Sequence, residues 1–102
     1  MSRQSRSSYS LQAVYDAVEN GKVTVNGNAL SDARSLFGWE TEDIARAILG
    51  LRPRDFHKTE PSKFLAGVML DVYKARNLMG ENVYTHFYMN SGRLIINSFK
   101  QI

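Results

Sequence analysis

Between Leu11 and Leu51 apolar residues recur at helical spacing, whereas beyond Pro53 they tend to fall at every second position. Leu11, Val14, Tyr15 and Val18 stand at i, i+3, i+4 and i+7. That spacing predicts a helix with Ser10 as N-cap and Asn20-Gly21 as its stop. Lys22-Val23-Thr24-Val25 is a short β-branched run ending at the Asn26-Gly27 turn signal. A second helix is expected over Ala29 to Phe37, with Leu30, Ala33, Leu36 and Phe37 inward and Gly38 as its C-terminal residue. Thr41 is expected to cap a third, where Glu42 and Asp43 meet the positive end of the macrodipole. Its inner face reads Ile44, Ala47, Ile48 and Leu51, and Pro53 forbids continuation.

After Pro53 the period changes. Asp55 to Thr59 reads as a short strand, followed by a loop through Glu60, Pro61 and Ser62. Gly67 to Arg76 alternates, with Val68, Leu70 and Val72 opposite Met69, Asp71 and Tyr73; a helix over Lys63 to Leu70 is the competing reading. Asn82 to Asn90 is the clearest strand, setting Val83, Thr85, Phe87 and Met89 against Tyr84, His86 and Tyr88. Ser91-Gly92 is a turn signal, and Arg93 to Lys100 forms the last strand. Helices first and a strand meander later describe an α+β domain: three N-terminal helices packed on one face of a mostly antiparallel sheet. Residues 1–10 lack an apolar period and read as a flexible tail, which leaves residues 11–102 as a single domain.

Composition narrows the function classes. At 102 residues, 43% apolar and 23% charged, the chain has the make-up of one small globular domain. No apolar run is long enough to span a bilayer and no signal peptide is legible, so a cytoplasmic protein without a membrane partner is expected. The absence of Cys excludes disulfides and thiolate metal sites, and two His alone argue against a structural zinc. No cofactor is expected. The charge is unevenly spread: residues 1–51 hold five cations against six carboxylates, residues 52–102 eight against four. That excess suggests a polyanionic partner.

The chemistry-bearing residues cluster in the same half, in Asp55-Phe56-His57-Lys58, Asp71 to Arg76, Val83 to Tyr88 and Ser98-Phe99-Lys100. RNA supplies its own nucleophile, the 2′-oxygen. A protein that cleaves it must accept that proton, stabilise charge at phosphorus and protonate the leaving 5′-oxygen. His or Tyr can move the protons, and Lys or Arg can stabilise the charge. His57 and His86 belong to the residue type whose ordinary pKa, about 6.5, lies near neutrality. Alternation sets Tyr84, His86 and Tyr88 on one strand face, and Lys74 and Arg76 fall two apart on the preceding strand. Aromatics interleaved with cations suit unpaired RNA. Each residue also has a plainer reading: Tyr73 and Tyr88 as half-buried sheet residues, Lys63 and Arg93 as solvated charges, Trp39 as a hydrophobic anchor. The face that Lys100 occupies stays open, because a bulge before it would reverse its direction.

In order, Ile48-Leu49-Gly50-Leu51, Asp55-Phe56-His57-Lys58, Asp71-Val72-Tyr73-Lys74-Ala75-Arg76, Gly80, Val83-Tyr84 and Ser98-Phe99-Lys100 resemble the MqsR-type (motility quorum-sensing regulator) toxins. These sit within the RelE/YoeB-like group of messenger-RNA-cleaving toxins. The likeness extends from about Leu11 to Lys100 and implies a RelE-like fold. It implies a metal-independent endoribonuclease that cuts mRNA at short sequences, leaving a 2′,3′-cyclic phosphate and a 5′-hydroxyl, and arrests growth. It also implies a cognate antitoxin that binds zinc and carries a helix-turn-helix DNA-binding domain, so that DNA is met only through the complex. By position, Lys58, Tyr84 and Lys100 match the family's active-site Lys, Tyr and C-terminal Lys, and Lys74 and Arg76 its basic strand end. Two positions depart. His57 replaces a Tyr before the active-site Lys, and Leu70 stands where a Gln is expected.

The resulting expectation is a toxin endoribonuclease. Catalysis would fall to Lys58, Tyr84, Lys100 and His57, with Tyr84 or His57 as base, and RNA binding to Lys74, Arg76 and His86. The alternatives are a non-catalytic RNA-binding or regulatory module that keeps the fold, or an interaction protein using an exposed strand edge.

Overall fold

A computed structural model describes residues 6–102. The first helix, α1 (Leu11–Glu19), begins as its sequence requires: the Ser10 hydroxyl accepts from the Ala13 N–H at 3.1 Å. Val14 and Ala17 form its buried stripe. Strand β1 (Val23–Val25) follows. Helix α2 (Gly27–Phe37) starts two residues before the expected Ala29 and ends on Gly38, whose φ of 71° supplies the left-handed cap. Its buried residues are Ala29 and Ala33, with Phe37 packed beside them, and these fall at i, i+4 and i+8. Leu36, expected inward, lies at the margin of that stripe and is 47% exposed.

Helix α3 (Thr41–Ile48) corrects another expectation. Glu40, not Thr41, is the N-cap, and it forms a reciprocal capping box with Asp43. The Glu40 N–H donates to Asp43 Oδ2 at 2.9 Å. Ile44, Ala47, Ile48 and Leu51 are fully buried, as their spacing predicts. Pro53 then opens a single 3-10 turn, Pro53–Asp55. No helix among the described residues is long and apolar enough to cross a membrane.

The remaining chain makes β2 (Phe56–Pro61), β3 (Met69–Leu78), β4 (Glu81–Asn90) and β5 (Arg93–Gln101). The helical alternative for Lys63 to Leu70 is not adopted. Ser62 Oγ accepts from the Phe64 and Leu65 N–H groups at 3.2 and 3.0 Å, and Gly67 turns the chain at φ 78°. The sheet order is β1-β5-β4-β3-β2, with β1 parallel to β5 and every other pair antiparallel. This is an α+β fold, its three helices packed on one sheet face.

The core joins Val14, Ala33, Ile44 and Ile48 to the inward sheet residues Tyr73, Val83, Phe87, Leu94, Ile96 and Phe99. Tyr73 stacks on Phe87 at 5.4 Å and meets the edge of Phe56 at 5.6 Å. Burial first, then Asp71, pushes its phenol up to about 12, so Tyr73 is a core residue and no proton donor near neutrality. Trp39 is an anchor as expected, 5.0 Å from Phe37 and 5.9 Å from Phe99.

Residues 1–5 of the expected tail lie outside the described residues. At its other end, Asp71 is fully buried and accepts from the Ser8 and Tyr9 N–H groups at 2.8 and 2.9 Å. The Tyr9 hydroxyl donates to the Met69 carbonyl at 2.7 Å, and the Ser8 and Thr59 hydroxyls meet at 2.7 Å. Ser8 and Tyr9 are thus bound to the sheet rather than free.

Candidate functional site

The sheet face opposite the helices carries the cations. Strand pairing organises it in two cross-strand rows. One runs Lys58, Val72, His86, Ser98; the next runs Lys74, Tyr84, Lys100. Four strands therefore contribute, and residues 10 to 16 positions apart in sequence pair side by side across them.

Two bulges make this arrangement possible. In β5 the partner of Thr85 is Phe99 and that of His86 is Ser98, but Phe87 already faces Ile96. Asn97 is the extra residue. Leu94 and Ile96 point inward, so strict alternation would send Ser98 and Lys100 inward too. The bulge reverses the parity, burying Phe99 and exposing Lys100. It is held by Thr85, whose fully buried hydroxyl donates to the Ser98 carbonyl at 2.7 Å.

The second irregularity lies between Phe56 and Lys58 in β2. Phe56 faces the core against Tyr73, and Lys58 pairs with Val72 on the other face. The extra residue there is His57, which is exposed.

Around Tyr84 the contacts are close. Lys100 Nζ lies 5.5 Å from its ring centre, a cation–π placement. His86 meets the Tyr84 ring edge-on at 5.8 Å. Lys58 is half exposed and forms an ion pair with Glu60 at 3.0 Å. Such exposed pairs contribute about 0–1 kcal/mol, so Lys58 is readily released to another anion. Lys74 is exposed opposite Tyr84. Arg76 is exposed two residues further on, just past the last regular pair before the β3–β4 turn. His57 and Arg76 stand outside both rows.

His86 is only partly exposed, and its Nδ1 is buried without a hydrogen-bond partner. Burial lowers its pKa below the ordinary value; Glu60 opposes that shift and Lys100 adds to it. Burial thus favours the uncharged imidazole.

A cleft of about 250 Å³ opens beside Tyr84 and His86, closed by Glu60, the Ser62–Phe64 loop and Asn97. Leu70, at the position of the expected Gln, lines it. Leu70 and Val72 are buried but lie outside the helix-packed core, as a thin apolar patch on the cationic face. A larger cavity, about 500 Å³, lies between the N-terminal segment, Pro53, Phe56 and Tyr73. None of the cations of the two rows lines it.

Sequence reasoning overlooked Glu60 and Asn97. Glu60 carried a signal: two residues after Lys58 in a strand, it must share that lysine's face. Asn97 carried none, because nothing in Ile96-Asn97-Ser98 distinguishes a bulge from continued alternation.

Fold and site together define a small α+β protein with an anion-ready sheet face. Comparison with protein families gives it a place. Residues 6–101 match the family described as motility quorum-sensing regulator, toxin of MqsA, and the chain belongs to that family. It is accordingly a toxin of a toxin–antitoxin pair, with a cognate antitoxin as partner. No curated protein matches the chain.

Proposed function

We propose that this toxin is a sequence-selective mRNA endoribonuclease that needs no metal ion. The observation that carries the reading is the convergence of Lys58, Lys74 and Lys100 around Tyr84 and His86 on one open sheet face. Lys58 and Lys74 would grip the phosphate, with Arg76 extending the track along the RNA backbone. Tyr84, acting as its phenolate, would take the 2′-hydroxyl proton, because it stands at the centre of the cationic row. The 2′-oxygen then attacks phosphorus, the bond to the 5′-oxygen breaks, and the departing oxygen takes a proton from Lys100 or from water, giving a 2′,3′-cyclic phosphate and a 5′-hydroxyl. Lys100 would stabilise the charge that develops on the phosphoryl oxygens. His57, exposed beside Lys58, is the second candidate for proton transfer.

The antitoxin would be a zinc-binding, helix-turn-helix protein, and DNA would be contacted through that complex. A cytoplasmic location follows from an mRNA substrate.

One observation favours a second reading. Leu70 is 6% exposed and lines the cleft where the family resemblance leads one to expect Gln. A hydrocarbon there can neither donate nor accept, which suits an RNA-binding module that keeps the fold without cleaving. Incubating the protein with an mRNA in EDTA and mapping new ends separates the two. Cleavage abolished by Lys58→Ala and by Tyr84→Phe supports the nuclease. Intact RNA supports the binding module.

A further inference from the structure

We propose that the cleft beside Tyr84 is a nucleobase-reading subsite in which Glu60 selects a base offering N–H donors, guanine first. This inference rests on the reading of the chain as an RNA-directed toxin and names the side chain that would set its sequence preference.

The argument begins with a carboxylate in an unfavourable place. The second half of the chain holds four acidic residues. Asp55 accepts from the Arg52 N–H at 2.8 Å, Asp71 is buried under the N-terminal segment, and Glu81 lies at the β3–β4 turn. Glu60 alone of the four lines the cleft, next to the lysines that would hold phosphate. A negative charge there repels the RNA backbone and offsets Lys58. Its compensation lies in what a carboxylate does well: it accepts hydrogen bonds and donates none. One oxygen, Oε1, meets Lys58 at 3.0 Å, and the group keeps further acceptor capacity toward the cleft.

Other lining residues can present donors. His86 lines the cleft, and with Nδ1 buried, Nε2 is the ring nitrogen left to meet a ligand, as a donor when it carries the ring proton. Asn97 Oδ1 accepts from Asn26 Nδ2 at 2.6 Å, which leaves the Asn97 amide NH₂ for the cleft. An acceptor and donors lining one cleft match the edge of a base. Guanine alone presents two adjacent donor nitrogens, N1 and N2, on its Watson–Crick edge, with the O6 acceptor beside them. Adenine, cytosine and uracil offer one donor nitrogen each.

Shape agrees with chemistry. The cleft, about 250 Å³, is smaller than the ~300–1,000 Å³ of pockets that enclose drug-sized ligands, the scale of a single base. Phe64 stands on its rim with 91% of its surface exposed. An exposed aromatic next to a cationic track is the platform on which unpaired bases stack. Tyr84 belongs to both the cleft and the lysine row, so a base seated here has its phosphate beside Lys100 and Lys74.

The test uses four 2′-O-methyl RNA heptamers, all uridine except for G, A, C or U at the centre, with binding read by fluorescence anisotropy. The 2′-O-methyl group prevents cleavage, so binding is scored apart from catalysis. Wild-type protein is expected to favour the G heptamer by about tenfold. Glu60→Gln should erase that preference while binding the other three as well as or better than wild type. Equal affinity for all four heptamers in the wild type overturns the proposal. So does a uniform loss in Glu60→Gln, which would mean that Glu60 acts only through Lys58. Failure to bind any heptamer overturns this inference and the RNA-directed reading together. Guanine-selective binding by a protein that leaves mRNA intact supports the subsite and removes only the nuclease reading.

Discussion

Phe99 and Lys100 are adjacent in sequence yet serve opposite faces of the sheet: the first is fully buried against the helices, the second sits over Tyr84. The Asn97 bulge assigns these roles, and their separation can be measured. Phe99→Ala should cost about 3–5 kcal/mol of stability, as large-to-small changes in packed cores do. Lys100→Ala should leave stability within about 0.5 kcal/mol, since it removes only an exposed side chain. Its cleavage rate should nonetheless fall by roughly 10²–10³, the usual effect of deleting one charge-stabilising group. Urea denaturation and a gel-based cleavage assay read the two effects independently.

Tyr84→Phe keeps the ring under Lys100 and beside His86 while deleting the hydroxyl. Affinity for non-cleavable RNA should be retained. The rate should drop by roughly 10²–10⁴, the range attributed to a general acid or base. A single-turnover assay with protein in excess distinguishes loss of chemistry from loss of binding.

Asp71 anchors the segment before α1 through two backbone N–H groups. Asp71→Ala leaves both donors without their acceptor and removes a buried, satisfied carboxylate. A loss of about 1–3 kcal/mol is expected. Hydrogen exchange at the Ser8 and Tyr9 amides should accelerate well beyond that at the sheet core. Unchanged protection would show that the segment is held by something other than Asp71.

Stability should depend on pH through His86. Its folded pKa lies below the unfolded value of about 6.5, so between those two values the unfolded chain binds more protons than the folded one. The stabilisation is full above about pH 6.5 and is lost as pH falls through the folded pKa. His86→Gln should flatten this part of the curve relative to wild type. Denaturation midpoints measured from pH 7.5 down to 4.5 on both proteins give the difference directly.

The helical half of the fold was readable because its signals are local. Ser10 caps, Gly38 terminates, and Ile44, Ala47 and Ile48 share one face at a spacing that few other structures satisfy. Leu36 has the i+7 and i+3 spacing to Ala29 and Ala33 that predicts burial, yet it stands at the margin of the stripe and stays 47% exposed, a difference that periodicity does not resolve. Glu40 displaced Thr41 as cap because a reciprocal bond with Asp43 satisfies two backbone donors where a lone hydroxyl satisfies one. In the strands, alternation correctly separated Tyr84, His86 and Tyr88 from Val83, Thr85 and Phe87. Alternation could not assign the face of Lys100, since a bulge built from Ile96, Asn97 and Ser98 leaves no Gly or Pro to mark it. Glu60 was legible in principle, since two residues beyond Lys58 in one strand it shares that lysine's face.

The central claim, that this face holds a ribose–phosphate junction and lets the 2′-oxygen attack, is tested most directly by a single-atom change in the substrate. An RNA carrying one 2′-deoxynucleotide at the mapped cleavage position should resist the protein in EDTA, while the all-ribose strand is cut to a 2′,3′-cyclic phosphate and a 5′-hydroxyl. Cleavage of the deoxy-substituted strand at that same bond would contradict the account.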